Sequence, residues 1–449
     1  MSDRDLDVVL LGATGFVGRL IAAHLVQTAP AQVRLGFAAR NAAKLDALIA
    51  EIGPDAKRVE LITIDTRDWA DLQALVARTK VIATTVGPYI RDGMPLVRAC
   101  AAAGTHYCDL TGETLFVKQS ADECHEAAQE SGARIVHACG FDSIPSDLGV
   151  LQTARRAQEA GAGTLEETVL RVRSLKGGLS GGTIDSGRQQ AIQARADTGA
   201  RTALADRYAL SPDRANEPKG EEGLIDGRPP HTESGTRPNA LGPIATVTPL
   251  GPAVEGVVRK GLKAVSVRQD EAGRWTAPFV MAEFNTRIVR RSNALLGWEY
   301  GRGFRYREVT DLGRGPQAPF VGAGMSAGLI AALAGLSFGP TRAILDRVLP
   351  KPGEGPSQES MAGGRFVMDI ESRTSTGAVF STRVAADKDP GYSGTAVMFG
   401  QAALALALDE DRLPDRAGVL TPATGIGEVL IERLIEHGFV FATEQVGAD

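Results

Sequence analysis

Leu10-Leu11-Gly12-Ala13-Thr14-Gly15-Phe16-Val17-Gly18 decides the fold. It closes the aliphatic run Leu6–Leu11 and opens a stretch, Phe16–Gln27, in which Val17, Leu20, Ile21 and Leu25 recur at helical spacing. A buried strand, a glycine turn and an amphipathic helix in this order make a phosphate-binding turn. Gly12 permits the tight bend, Gly15 lets backbone N–H groups approach a pyrophosphate, and Gly18 lets the helix pack on the sheet. The helix N-terminus adds unpaired donors and partial positive charge, with Ala13, Thr14, Phe16 and Val17 as the rest of the cradle.

Outward from this turn, strand-like and helix-like segments alternate through residue 149. Strands are expected at Leu6–Leu11, Val33–Ala39, Glu60–Ile64, Val81–Thr85, His106–Asp109 and Arg134–His137. Helices are expected at Phe16–Gln27, Ala42–Ile52, Trp69–Ala77, Met94–Ala103 and Leu115–Ser131. The pattern predicts an α/β fold: a Rossmann-type, doubly wound parallel sheet over residues 1–149. Residues 150–394 read as an inserted α+β substrate domain. Within it lie a polar helical stretch (Ile184–Leu210), a loop rich in Pro, Gly and charge (211–256), a β-prone region (Thr276–Val289) and a β-hairpin around Ser375-Thr376. Residues 395–449 read as C-terminal helices that pack back on the first domain. The stretch 315–341 carries few large aliphatics; a buried hairpin of helices is favoured over a membrane span, with a lipid-facing or acyl-binding surface between the two.

Cofactor choice is written at the strand ends. The glycine spacing is G-x-x-G-x-x-G, the variant of many NADP-type enzymes. Where an NAD site carries an acidic residue after the second strand, this chain has Ala38-Ala39-Arg40-Asn41, with Lys44 one turn on. A guanidinium forks onto a 2′-phosphate and stacks on adenine, and Lys44 adds a second positive charge, so NADP is the expected cofactor. Asp65 ends the third strand, either beside an adenine amino group or as a helix cap before Trp69. Gly87-Pro88 ends the fourth, either passing under the nicotinamide ribose or forming a plain turn.

Composition excludes several classes. The 449 residues suit two or three domains, and a formal net charge of −5 supplies no basic field for nucleic acid. The four cysteines lack C-x-x-C spacing and no paired His-x-x-x-His occurs, so neither a metal site nor a disulfide framework is expected. Met1–Asp7 runs straight into a strand-like segment without the basic and apolar regions of a signal peptide, which points to the cytoplasm.

The chain resembles the saccharopine dehydrogenase-like oxidoreductases, and within them the trans-acting enoyl reductases of lipid-forming polyketide synthases. The resemblance rests on Gly12–Gly18, Val86–Tyr89, His106–Glu113, Gly140–Asp147, Asn285–Arg287, Val289–Asn293 and Leu349–Pro356. It implies an NADP(H)-linked oxidoreductase with a peripheral membrane contact. Tyr107 and Asp142, at the carboxyl edge of the sheet, are the candidate catalytic residues. Tyr107 would give a hydrogen bond or proton to a developing enolate, and Asp142 would orient it or bind substrate. The bland alternative for Asp142–Ser146 is a capped turn. Arg287, Arg290, Arg291, Arg302, Arg305 and Arg307 read either as a receptor for an anion (a phosphopantetheine phosphate, an acidic acyl-carrier domain or a lipid head) or as salt bridges within a sheet. The favoured function is NADP(H)-dependent, enoyl reductase-like reduction of an unsaturated lipid or polyketide-type acyl substrate, taken as a small molecule or an acyl thioester. A saccharopine-type amino-acid or imine dehydrogenase and a non-catalytic lipid-associated protein are the alternatives. A homodimer is compatible with the sequence.

Overall fold

A strand buried along its whole length must be covered on both faces, and Leu6–Leu11 (β1) and Leu35–Ala39 (β2) are such strands. Val8 and Leu10 enter one core with Ile21, Leu25 and Met398. Val9 and Leu11 enter a second with Leu72, Leu75 and Val97. The computed structural model describes residues 4–177, 181–218, 267–270, 273–337, 361 and 363–447.

In chain order the further strands are β3 (Glu60–Thr63), β4 (Thr79–Thr84), β5 (His106–Asp109), β6 (Arg134–Val136), β7 (Leu165–Lys176), β8 (Arg268–Gln269), β9 (Trp275–Pro278), β10 (Arg305–Gly313), β11 (Arg365–Thr374), β12 (Val379–Ala386), β13 (Gly418–Leu420) and β14 (Val440–Val446). The first sheet runs β13-β6-β5-β4-β1-β2-β3 and every pairing in it is parallel. The order reverses between β1 and β4, which is where a doubly wound sheet opens its ligand crevice. The second sheet, β14-β12-β11-β7-β10-β9-β8, is mixed: β7 and β10 are parallel and the other pairs antiparallel.

The helices of the first layer are α1 (Phe16–Thr28), α2 (Ala42–Ile52), α3 (Trp69–Ala77), α4 (Tyr89–Asp92), α5 (Met94–Ala103) and α6 (Thr114–Ser131). Next comes α7 (Ile144–Glu159), which bridges the two sheets. Gly149 on α7 presses so close to β11 that a Cβ there would lie 2.4 Å from Ile370 Cδ1. The polar stretch after β7 forms two helices, α8 (Gly181–Ala196) and α9 (Thr198–Ala205), because Asp197 caps the second through Gly199 N–H.

Several expectations are corrected. The β-prone region Thr276–Val289 holds one short strand, β9, and then helix α10 (Ala282–Leu295). The apolar side chains of α10, Phe284 and Ile288, are i and i+4 on one face, a helical period. The stretch 315–341 shows a single helix, α11 (Ala318–Ser337), in place of a hairpin; Phe320 on it is 72% exposed, and 338–341 lie outside the described residues. So do loop residues 219–256 and the Lys351–Pro356 motif. The C-terminal segment is not all helical. Helix α12 (Thr395–Leu408) packs on α1, β4 and β5, but β13 extends the first sheet and β14 the second. Pro390–Leu408 has the length and hydropathy of a membrane span, yet 78% of that window is buried within the fold.

The two sheets meet through a buried polar layer. Asp147 on α7 accepts from Ser292 Oγ and, at 2.8 Å, from Ala423 N–H. Glu308 on β10 accepts from Tyr306 Oη at 2.8 Å and Asn285 Nδ2 at 3.0 Å. Neither carboxylate forms an ion pair among the described residues, and burial pushes each up to about 7. Between the ordinary carboxylate range and pH 7 the folded chain therefore binds more protons than the unfolded chain, and stability falls as pH rises through that window. Glu308→Gln keeps the shape and cannot ionise, and Tyr306 can accept from the new amide. Its melting temperature relative to wild type should be more favourable at pH 8 than at pH 5; an equal difference at both pH values contradicts a buried, protonated Glu308.

Candidate active site

The loops at the carboxyl edge of the first sheet build one groove. Gly12 has φ +89°, a conformation that costs an L-residue about 1–2 kcal/mol, and a Cβ there would lie 2.6 Å from Thr85 Oγ1. A Cβ on Gly18 would lie 2.1 Å from Gly12 O, so α1 approaches the turn as closely as its backbone allows. Thr85 ties the neighbouring loop to this turn, donating N–H to Leu11 O at 3.0 Å and Oγ1 to Gly12 O at 3.2 Å.

The turn fits a dinucleotide diphosphate. Arg19 N–H is the donor to Gly15 O, so the amides of Phe16, Val17 and Gly18 precede the first helical acceptor. The N-cap is Gly15, exposed and without a side-chain cap, and the first turn of α1 carries no acidic residue. Ala13 is buried beneath the turn, and Thr14 is half-buried at its rim. Phe16 is anchored edge-on to Tyr392, ring centroids 5.1 Å apart.

Arg40 is the first residue beyond β2, exposed and without an ion-pair partner among the described residues. Asn41 caps α2 by accepting from Lys44 N–H at 3.1 Å, which places Lys44 in the first turn of that helix. Asp65 lies exposed past the end of β3, its Oδ1 accepting from Arg67 N–H at 3.1 Å. It is not the cap of α3; Asp68 is, accepting from Ala70 and Asp71 N–H. Gly87-Pro88 joins β4 to α4 at the switch point.

Asp109, fully buried at the end of β5, organises the other half of the edge. Its Oδ1 accepts from Thr111 N–H at 3.1 Å and Ala138 N–H at 3.0 Å; its Oδ2 lies 2.9 Å from Tyr107 Oη and 2.7 Å from His137 Nδ1. These bonds hold Ala138 at φ +63° just before the Gly140–Ser143 turn. Tyr107 is therefore not at the groove surface. It is fully buried, bonded to Asp109, and held well above the ordinary tyrosine range first by burial and then by the Asp109 charge. The strand alternation puts Tyr107 and Asp109 on one face, directed into the α6 side.

Asp142 is half-buried on the rim. Its Oδ2 lies 3.9 Å from where a Cβ of Gly112 would sit, and Met281 Cε lies 3.7 Å from the same point. Gly112, Asp142 and Met281 thus converge at the carboxyl edge of the sheet. The capped-turn alternative holds only in part: Ser143 is the N-cap of α7 but makes no capping bond, and its hydroxyl donates instead to Asn285 Oδ1 at 3.0 Å.

The arginine cluster is corrected. Arg287, Arg290 and Arg291 lie on helix α10 and are buried, whereas Arg305 and Arg307 do lie in a sheet, on β10. Arg287 donates to Leu204 O and Asp206 O, and Arg291 to Leu210 O and Val419 O at 2.7 Å each. Arg290 stacks over Tyr208 at 5.0 Å, and Arg302 over Trp298 at 5.5 Å. The guanidiniums of α10 pin the 204–210 segment instead of presenting an anion receptor.

Sequence reasoning missed Met281, Ser186 and Tyr392, which reach the groove from distant parts of the chain, and left Glu113 without a role. Among the described residues no cluster of three or more His, Cys, Asp or Glu side chains suits a metal.

Fold and groove together define an NADP(H)-dependent oxidoreductase. Residues 8–136 match the family model described as the saccharopine dehydrogenase NADP binding domain. A trans-acting enoyl reductase homologue of Mycobacterium tuberculosis is 44% identical over 449 residues, covering 99% of each chain. Proteins named trans-acting enoyl reductase from Mycobacterium bovis and Mycobacterium ulcerans are 41% and 42% identical, again with 99% of each chain covered. Apo saccharopine dehydrogenase (L-Glu forming) from Saccharomyces cerevisiae shares the fold, with a TM-score of 0.51 and 14% identity over 98% of this chain and 99% of that one. The chain belongs to the saccharopine dehydrogenase-like family of trans-acting enoyl reductases.

The Arg40 position carries a direct test. Arg40→Ala should weaken NADPH binding about 10–100-fold and leave NADH binding unchanged, as measured by isothermal titration. An equal loss for both carriers, or no loss, contradicts a 2′-phosphate contact at Arg40.

Proposed function

We propose that the chain reduces the carbon–carbon double bond of an α,β-unsaturated acyl thioester at the expense of NADPH. The observation that carries this reading is likeness across 99% of the chain to enzymes named for enoyl reduction. The rim where Gly112, Asp142 and Met281 converge supports it.

NADPH, when bound, supplies the pair of electrons that reduces the substrate. The protein's share is binding and proton management. The amides of Phe16–Gly18 hold the diphosphate, Arg40 and Lys44 the 2′-phosphate, Asp65 the adenine end, and the Gly87-Pro88 turn the nicotinamide end. Asp142 is the one ionisable candidate from the sequence that stands on the rim, and it carries the proton destined for the α-carbon or orients the water that delivers it. Met281 offers an apolar, adaptable wall to the acyl portion and keeps water off the reacting carbons. Tyr107 acts from behind, through Asp109, by fixing the loops after β5 and β6.

The saccharopine-type reading needs cationic groups free to grip substrate carboxylates. Arg287 and Arg291, buried and spent on backbone carbonyls, do not supply them.

The test is NADPH oxidation with a crotonyl thioester, run beside an amino acid plus 2-keto acid. Turnover with the enoyl thioester is expected, and Asp142→Asn should lower kcat by roughly 10²-fold or more with NADPH affinity unchanged. Turnover only with the amino acid and keto acid pair overturns the reading. An unaltered kcat in Asp142→Asn removes that residue from the chemistry.

A further inference from the structure

Glu113 is fully buried, and its position is not explained by the helix it precedes. It stands at the N-cap of α6 yet makes no capping bond there. Its carboxylate instead crosses to the cofactor side of the groove. Oε1 accepts from Tyr89 N–H at 3.0 Å and Oε2 from Ile90 N–H at 2.7 Å, the first amides after Gly87-Pro88. From the other side, Ser186 Oγ on α8 donates to the same Oε1 at 2.7 Å. One turn further along α8, Gln190 Nε2 donates to Gly112 O at 3.3 Å. Positions 186 and 190 share a helix face, so this face of α8 is seated on Gly112–Glu113. Gly112 is the residue flanked by Asp142 and Met281. Helix α8, which follows β7 of the second sheet, therefore touches the same loop that Asp142 and Met281 approach. Its seat is the same carboxylate that shapes the turn under the nicotinamide end.

We propose that Glu113 is a positioning residue that couples the cofactor turn to α8, so that NADPH in the groove tightens the seat that α8 already has on Gly112–Glu113, beside the acyl site. The inference rests on the NADPH-dependent reading above. It extends that reading to a coupling device formed by Tyr89, Ile90, Glu113 and Ser186. A buried carboxyl oxygen that loses its hydroxyl donor has no water to take the donor's place. Burial raises Glu113 above the ordinary carboxylate range, while the Ser186 and backbone bonds oppose that rise. Loss of the hydroxyl thus unseats α8 without touching the glycine turn.

Hydrogen exchange of the full-length chain, with and without saturating NADPH, tests this. In wild type, NADPH should slow exchange both at the amides of Phe16–Gly18 and, about tenfold, across residues 187–196. In Ser186→Ala the glycine-turn protection should remain and the α8 protection should vanish, while Ser186→Thr, which restores the hydroxyl, should recover it. Glu113→Gln, which loses an acceptor for one of the two amides, should behave as Ser186→Ala. Protection of α8 that is equal in wild type and Ser186→Ala overturns the coupling, as does a wild type in which the glycine turn is protected and α8 is not. If the glycine turn is protected in neither protein, NADPH is not bound; the parent reading fails, and the coupling with it.

Discussion

The approach of α1 to the turn after β1 constrains everything around it. A Cβ on Gly18 would sit 2.1 Å from Gly12 O, closer than any side chain can come, so the helix start is clamped to the strand end by the absence of atoms. That clamp fixes where the unpaired amides of Phe16–Gly18 point. The loop after β4 is in turn bonded to the same turn through Thr85. The crevice at the β1/β4 switch is thus a consequence of backbone packing, and only then of charge.

A second organiser sits two strands away. Asp109 gathers four hydrogen-bond partners from β5, β6 and their loops, and this fixes the rim on which Asp142 stands. The rim is completed by elements outside the first sheet: Met281 before α10, Ser186 on α8, and Tyr392 ahead of α12. Between the two sheets lies the polar layer containing Asp147 and Glu308. Burial there favours the protonated carboxyl and the neutral donors oppose it only in part, and among the described residues neither carboxylate has an ion pair.

Legibility in the sequence followed the range of the interactions. The helices Ala42–Ile52, Trp69–Ala77 and Met94–Ala103 and the strands Leu6–Leu11 and His106–Asp109 have the bounds that periodicity gives them. The phosphate turn was readable because it is local. The arginine helix reads as β-prone because Thr276–Val289 mixes β-branched and aromatic residues, while the contacts that bury its arginines come from residues 204–210. Tyr107 was misplaced because its neighbours in sequence are polar, whereas its partner Asp109 lies on the same face and is itself buried. The pairing of Glu113 with Ser186, seventy-three residues away, has no local signal at all.

The central claim is that an NADP(H) diphosphate rests on the start of α1 with its extra phosphate at Arg40. A crystal structure of the full chain grown with NADP+ tests it most directly. The account predicts diphosphate oxygens within hydrogen-bond distance of the Phe16–Gly18 amides and the 2′-phosphate against the Arg40 guanidinium. NADP+ bound at any other place, with the glycine turn filled by solvent alone, would contradict it.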